Sequence, residues 1–172
     1  MAVCPFLVLF LSLKNPIWGS ISAAIFMVAS ATDWFDGYFA RKYNATSSMG
    51  KFMDPIADKI LVSSVLIMLI PSSRVGPVLV LLLLARDILI GGIRSVAAAD
   101  RLIIDAKATG KLKTGLQMVS IPLILVDPAV FGGASVYNIG LVILWVSVIL
   151  SMISGYQYVQ MYAESRKEQK NA

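Results

Sequence analysis

Residues 33–58 read DWFDGYFARKYNATSSMGKFMDPIAD, and the runs on either side are strongly apolar. The stretch holds Asp33, Asp36, Asp54 and Asp58, four of the ten acidic residues in a 172-residue chain that is 58% hydrophobic. Carboxylates at membrane depth are costly unless balanced, so they usually mark function. Residues three or four apart share a helix face. Asp33 and Asp36 therefore make one pair, and Asp54 and Asp58 a second. The short chain between the pairs makes their helices expected antiparallel neighbours, with four carboxylates at one mouth.

The rest of the chain supplies the frame. Its mean hydropathy is +0.78, and six apolar segments run over roughly 2–13, 17–40, 52–71, 75–99, 114–127 and 137–160, several of them long enough or nearly so to cross a bilayer. The expected architecture is all-α: one polytopic membrane domain over residues 1–172, with six transmembrane helices. The apolar opening, Met1 to Leu13, lacks the charged start and cleavage site of a signal peptide. It is expected to be the first span, shortened or preceded by further residues. Basic residues set the orientation. Arg41, Lys42 and Lys51 flank the second connection, Arg94, Arg101, Lys107, Lys111 and Lys113 the fourth, and Arg166, Lys167 and Lys170 the tail. The opposite side carries Lys14 and Arg74. Both termini are therefore expected in the cytoplasm, with the aspartates at the cytoplasmic end of the bundle. Residues 101–113 read either as a positive-inside loop or as an interfacial stretch with a substrate role.

The chain contains no histidine and one cysteine, Cys4. Histidine bases, histidine ligands, thiolate zinc sites and intrachain disulfides are thereby excluded. Oxygen-only ligation suits Mg²⁺ or Mn²⁺, and four carboxylates could hold two ions. Such a pair can clamp a diphosphate during an in-line displacement. Gly37 and Gly50 bracket the connection. Each reads as a helix end or packing position, or as a place where backbone approaches a nucleotide. Arg41 is an interfacial anchor or a two-donor phosphate contact.

Taken together, these positions resemble the signature of the CDP-alcohol phosphotransferase family, D-x2-D-G-x2-A-R-x8-G-x3-D-x3-D. All eight fixed positions are met, by Asp33, Asp36, Gly37, Ala40, Arg41, Gly50, Asp54 and Asp58. The resemblance implies a reaction in which a CDP-linked lipid meets an alcohol, forms a phosphodiester and releases CMP. It also implies roles. Asp33, Asp36 and Asp54 would bind the metal ions, and Asp58 would take the acceptor's proton while standing as a fourth candidate ligand. Gly37, Ala40, Arg41 and Gly50 would contact the CDP part.

The acceptor is read from Arg86, Asp87 and Arg94, which lie within apolar sequence. Arg86 and Arg94 are eight apart, so both can face one cavity. They read either as ion-paired with Asp87 or a signature aspartate, or as a pocket for an anionic acceptor. The stretches RDILIGGIR (86–94) and GKLKTGLQM (110–118) resemble the family branch that joins CDP-diacylglycerol to sn-glycerol 3-phosphate. On that resemblance Arg86, Arg94 and Lys111 would hold the acceptor phosphate, followed by Lys113, Thr114 and Gln117. Relatives usually open with a short polar amphipathic stretch, whereas this chain opens at or inside the first span. The expected partners are the two substrates, membrane lipids and a second copy of the chain, with no nucleic acid. Other family acceptors, such as inositol phosphate or serine, and a cation-transport role are the alternatives. The last segment is given no site residue. Trp18, Trp34, Trp145, Tyr156, Tyr158 and Tyr162 read as interfacial belts and packing, and the tail from Glu164 as a solvated helix end.

Overall fold

The computed structural model describes residues 3–13, 16–42, 48–100, 108–127 and 133–171. Of these, residues 16, 33–34, 36–42, 48–58, 108, 133, 168 and 170–171 are described by backbone course alone. The described residues form six helices and no strand: α1 Val3–Ser12, α2 Pro16–Lys42, α3 Ser48–Leu69, α4 Pro77–Ala99, α5 Ala108–Leu125 and α6 Gly133–Asn171.

The all-α expectation holds, with shifted boundaries. Polar residues at helix ends extend α3, α5 and α6 beyond their apolar runs, because the backbone ladder continues where hydropathy stops. α6 is the extreme case. Its 39 residues rise about 58 Å at ~1.5 Å each, nearly twice a bilayer's hydrocarbon core. The tail after Glu164 continues this helix. Among the described helices, one, Ala134–Lys167, is long and apolar enough to cross a membrane. Val3–Ser12, Ile17–Thr32 and Lys59–Leu69 are shorter apolar helices. In α4 the apolar run is broken by Arg86, Asp87 and Arg94.

Both α5 and α4 pack on α6, and α5 also meets α2 and α3. α1 packs on α2 and α3, and α3 on α4. Phe10 stacks on Trp18 with ring centroids 4.8 Å apart, joining α1 to α2. The expected direct contact between α2 and α3 does not occur among the described residues; the two helices share α1 and α5 as neighbours instead. The apolar core joins Phe26 of α2, Leu66 and Leu69 of α3, Leu79 and Leu83 of α4, Ile121 and Ile124 of α5, and Leu144 of α6. Much of the exterior is apolar too. Val28, Leu81, Ile88, Leu89 and Val142 are each more than 60% exposed. Apolar exteriors of this breadth are matched to lipid rather than water.

One end of the bundle is closed by a latch. Between α3 and α4 the chain turns through Ser73 at φ 56°. The Arg74 N–H donates to the Leu69 carbonyl at 3.2 Å, and the Arg74 side chain reaches across to the end of α5. There its guanidinium donates to the carbonyls of Ile124, Leu125 and Val126 and pairs with Asp127. These carbonyls are among those a helix C-terminus leaves without intrahelical partners. Tyr137 of α6 donates its hydroxyl to the Arg74 carbonyl at 2.7 Å. The turn expected at Asp127-Pro128 and Gly132-Gly133 lies mostly outside the described residues.

Helices α5 and α6 approach closely at Gly140. A Cβ there would stand 2.8 Å from Leu123 Cβ, 3.0 Å from Ile124 Cγ1 and 3.2 Å from the Ile124 nitrogen. Gly140→Ala is expected to cost roughly 1–3 kcal/mol through overpacking. A lowered thermal midpoint in detergent is the expected result. An unchanged midpoint would show that the helices separate freely.

Candidate active site

At the end of the bundle opposite the latch, many of the described residues are polar. There α3, α4, α5 and α6 enclose a cavity of 560 Å³. The lining of α3 comes from Lys59, Val62, Ser63 and Leu66, positions that share one helix face. α4 contributes Arg86, Asp87, Ile90, Gly91 and Arg94, and α5 Gly110, Lys111, Lys113, Thr114 and Gln117. The four cations singled out in the sequence, Arg86, Arg94, Lys111 and Lys113, thus line one space. Lys59 makes a fifth, and among the described lining residues Asp87 is the one carboxylate.

These cations divide by environment. Arg86 and Lys113 both bond to Asp87 Oδ1, Arg86 through NH1 at 2.8 Å and Lys113 through Nζ. Arg86 also donates from Nε to the Ser151 carbonyl at 2.9 Å and from NH2 to Ser154 Oγ at 3.2 Å. Lys113 is 4% exposed, and a second bond to Ser151 Oγ at 3.4 Å completes its setting. A buried charge needs such pairing to be tolerated. The ion-paired reading therefore describes Arg86. Arg94 differs: it is exposed, stands 5.5 Å over the Tyr158 ring, and has no described carboxylate partner. Cation–π contact holds the guanidinium without neutralising it. Lys111 and Lys59 are likewise exposed and unpaired with any described carboxylate.

The last helix matters more than its sequence suggests. α6 supplies the Ser151 and Ser154 acceptors and the Tyr158 ring, which is buried rather than interfacial. Gly155 leaves room for Arg86, since a Cβ there would stand 3.3 Å from its Nε. The available signal was Ser147, Ser151 and Ser154, at i, i+4 and i+7 of an apolar helix, a polar stripe on one face. Tyr162 donates to Asp100 Oδ2 at 3.4 Å, tying α6 to the end of α4.

The backbone carries Asp33 and Asp36 in the last three turns of α2, and Asp54 and Asp58 in the first three turns of α3. The i, i+4 row from Asp54 through Asp58 reaches Val62, which lines the cavity. The aspartate face of α3 is therefore continuous with the cavity wall. The side chains of the four aspartates lie outside the described residues. So do the side chains of Ala40 and Arg41, the surroundings of Gly37 and Gly50, and residues 101–107 entirely. As a donor set, four carboxylates on two connected helix ends, in a chain without histidine, fit a hard divalent cation.

Comparison with known proteins gives the same direction. Residues 1–153 match the CDP-alcohol phosphatidyltransferase family. The chain is similar to a protein of Rickettsia typhi named CDP-diacylglycerol–glycerol-3-phosphate 3-phosphatidyltransferase, with 39% identity over 156 residues, 91% of this chain and 88% of that protein. A Bacillus subtilis protein of the same name is 35% identical over 152 residues, 88% of this chain and 78% of its own length. A third so named, from Salmonella choleraesuis, is 33% identical over 159 residues, covering 90% and 85%. Signature, helical bundle and similarity over most of the chain agree, and the chain belongs to the CDP-alcohol phosphatidyltransferase family of membrane enzymes.

Proposed function

We propose that this protein transfers the phosphatidyl group of CDP-diacylglycerol to sn-glycerol 3-phosphate, forming phosphatidylglycerophosphate and CMP. The observation that supports the reading is the excess of cations over carboxylates among the described residues of the cavity beside the aspartate face of α3. Serine and inositol bring no phosphate and would leave that surplus unbalanced. The names of the relatives favour glycerol 3-phosphate among phosphorylated acceptors. A cation-transport role fits poorly, because a cation-lined cavity repels metal ions.

In this reading the acceptor hydroxyl oxygen attacks the phosphorus that bears the diacylglycerol. The bond from that phosphorus to the bridging oxygen breaks, and CMP leaves with that oxygen. Asp58 receives the hydroxyl proton. Asp33, Asp36 and Asp54, with Asp58 as a fourth candidate, would hold one or two Mg²⁺ or Mn²⁺ ions, which would supply positive charge to the diphosphate. Gly37, Ala40, Arg41 and Gly50 face the CDP. Arg94 and Lys111 engage the acceptor phosphate, while Arg86 and Lys113 shape the wall behind it. The whole chain acts as one domain of six spans in the cytoplasmic membrane, as a homodimer, with both termini and the site on the cytoplasmic side. The basic residues concentrated at the cavity end support that orientation.

The test supplies purified protein with CDP-diacylglycerol, Mg²⁺ or Mn²⁺, and one acceptor at a time. CMP release is expected with glycerol 3-phosphate and not with serine, inositol or inositol phosphate. Arg94→Ala is expected to raise KM for glycerol 3-phosphate about tenfold, the scale of one charged hydrogen bond, with little change for the donor. Release only with another acceptor would replace the substrate. No release with any acceptor, from folded protein, would overturn the enzymatic reading.

A further inference from the structure

Lys59 occupies none of the signature positions, yet it stands where the two halves of the site meet. It follows Asp58 directly on α3, and its side chain lines the cavity. Its ammonium has three donors. One reaches the Asp87 main-chain carbonyl at 3.5 Å, the limit of a hydrogen bond. No described carboxylate pairs with it. Asp87, the cavity's carboxylate, is already shared by Arg86 and Lys113. Lys59 is thus a cation with donors to spare, in a space shaped for a small ligand.

Its place is prepared by the helix opposite. Gly91 leaves α4 bare where the ammonium lies, and a Cβ there would stand 3.2 Å from Lys59 Nζ. At the next residue, Gly92, an added Cβ would meet nothing within 4 Å. The two neighbouring glycines therefore differ in one respect that matters: only the first faces the lysine.

We propose that Lys59 is a specificity-determining residue that engages the acceptor's phosphate, and that Gly91 is the positioning residue that lets its ammonium reach it. This assignment rests on the glycerol 3-phosphate reading above. In that acceptor, phosphate and attacking hydroxyl lie at opposite ends of a three-carbon chain. A cation one residue from the proton acceptor can hold the first while the second reaches the donor. Arg94 and Lys111, from α4 and α5, complete the cradle, but Lys59 alone ties the acceptor phosphate to the helix that carries Asp58.

The experiment measures KM for each substrate in four variants. Lys59→Met keeps the length of the side chain and removes its charge. It is expected to raise KM for glycerol 3-phosphate about tenfold or more, with KM for CDP-diacylglycerol within about twofold of the unaltered protein. Gly91→Ala should raise the acceptor KM about threefold or more by displacing the ammonium, and Gly92→Ala should leave it unchanged. The Lys59→Met, Gly91→Ala double variant should show no further penalty from the alanine, because residues that act through one another are not additive. If the unaltered protein transfers to glycerol 3-phosphate but Lys59→Met keeps its acceptor KM, this assignment fails alone. An equal Gly91→Ala penalty with and without Lys59 would overturn the positioning role. If the unaltered protein does not use glycerol 3-phosphate, the functional reading and this assignment fall together.

Discussion

Asp58→Asn is expected to lower turnover by about 10²–10⁴-fold, the range that a positioned proton acceptor contributes, while leaving much of the donor binding intact. The substitution keeps size and one acceptor oxygen but removes the capacity to take a proton. In the proposed reading the other three aspartates would still be there to hold metal and diphosphate. Asp58 suits the role because it lies deepest along α3 among the signature aspartates, one residue before Lys59 and one turn before Val62, both of which line the acceptor cavity. Asp54 sits a turn farther from that cavity along the same helix. Single-turnover CMP release, read beside equilibrium binding of CDP-diacylglycerol, separates the two effects. A rate within about threefold of the unaltered protein, too small a loss for general-base removal, would assign the proton to another acceptor. Loss of donor binding in proportion to rate would make Asp58 chiefly a ligand.

Asp87→Ala is expected to destabilise the protein by about 3 kcal/mol, the lower end of the cost of breaking a buried ion pair from one side. The lower end applies because the Asp87 side chain keeps 23% of its exposure. The cost comes from what is left behind. Without the carboxylate, the ammonium of Lys113, 4% exposed, and the guanidinium of Arg86 confront each other with only Ser151 and Ser154 as described partners. A lowered thermal midpoint in detergent is the expected reading. Adding Lys113→Met to Asp87→Ala should recover much of the loss, since it removes the stranded charge. If the single variant melts with the unaltered protein, or the second substitution recovers nothing, the three residues do not act as a buried unit.

The family was legible in the sequence because its signature depends on residue types at short, fixed spacing. Asp33 with Asp36, and Asp54 with Asp58, share helix faces by spacing alone, and the glycines, alanine and arginine between them complete a pattern that local sequence can display. The candidate acceptor cations were legible for the same reason, as charges interrupting apolar runs. Element ends were less so: α3, α5 and α6 continue into polar residues whose helicity hydropathy does not register. The contribution of α6 was missed because serines in an apolar helix look like ordinary packing until a partner arrives. The expected meeting of α2 and α3 falls mainly at residues 33–58, most of whose side chains lie outside the described residues. Among the described residues, α2 and α3 share α1 and α5 as neighbours.

The sequence by itself determined the family, the all-helical frame and the clustering of carboxylates, because each is a matter of residue type and spacing along one chain. Only the tertiary structure decided how the charges are allocated. Asp87 could have neutralised any neighbouring cation. The approach of α5 to α4 and α6 gives it Arg86 and Lys113, so two of the candidate acceptor contacts are ion-paired where they line the cavity. Arg94 is left on Tyr158 and Lys59 in the gap at Gly91, each without a described carboxylate partner. Ion pairing falls off over a few ångströms, so which cation stays available is settled by helix packing rather than by spacing along the chain.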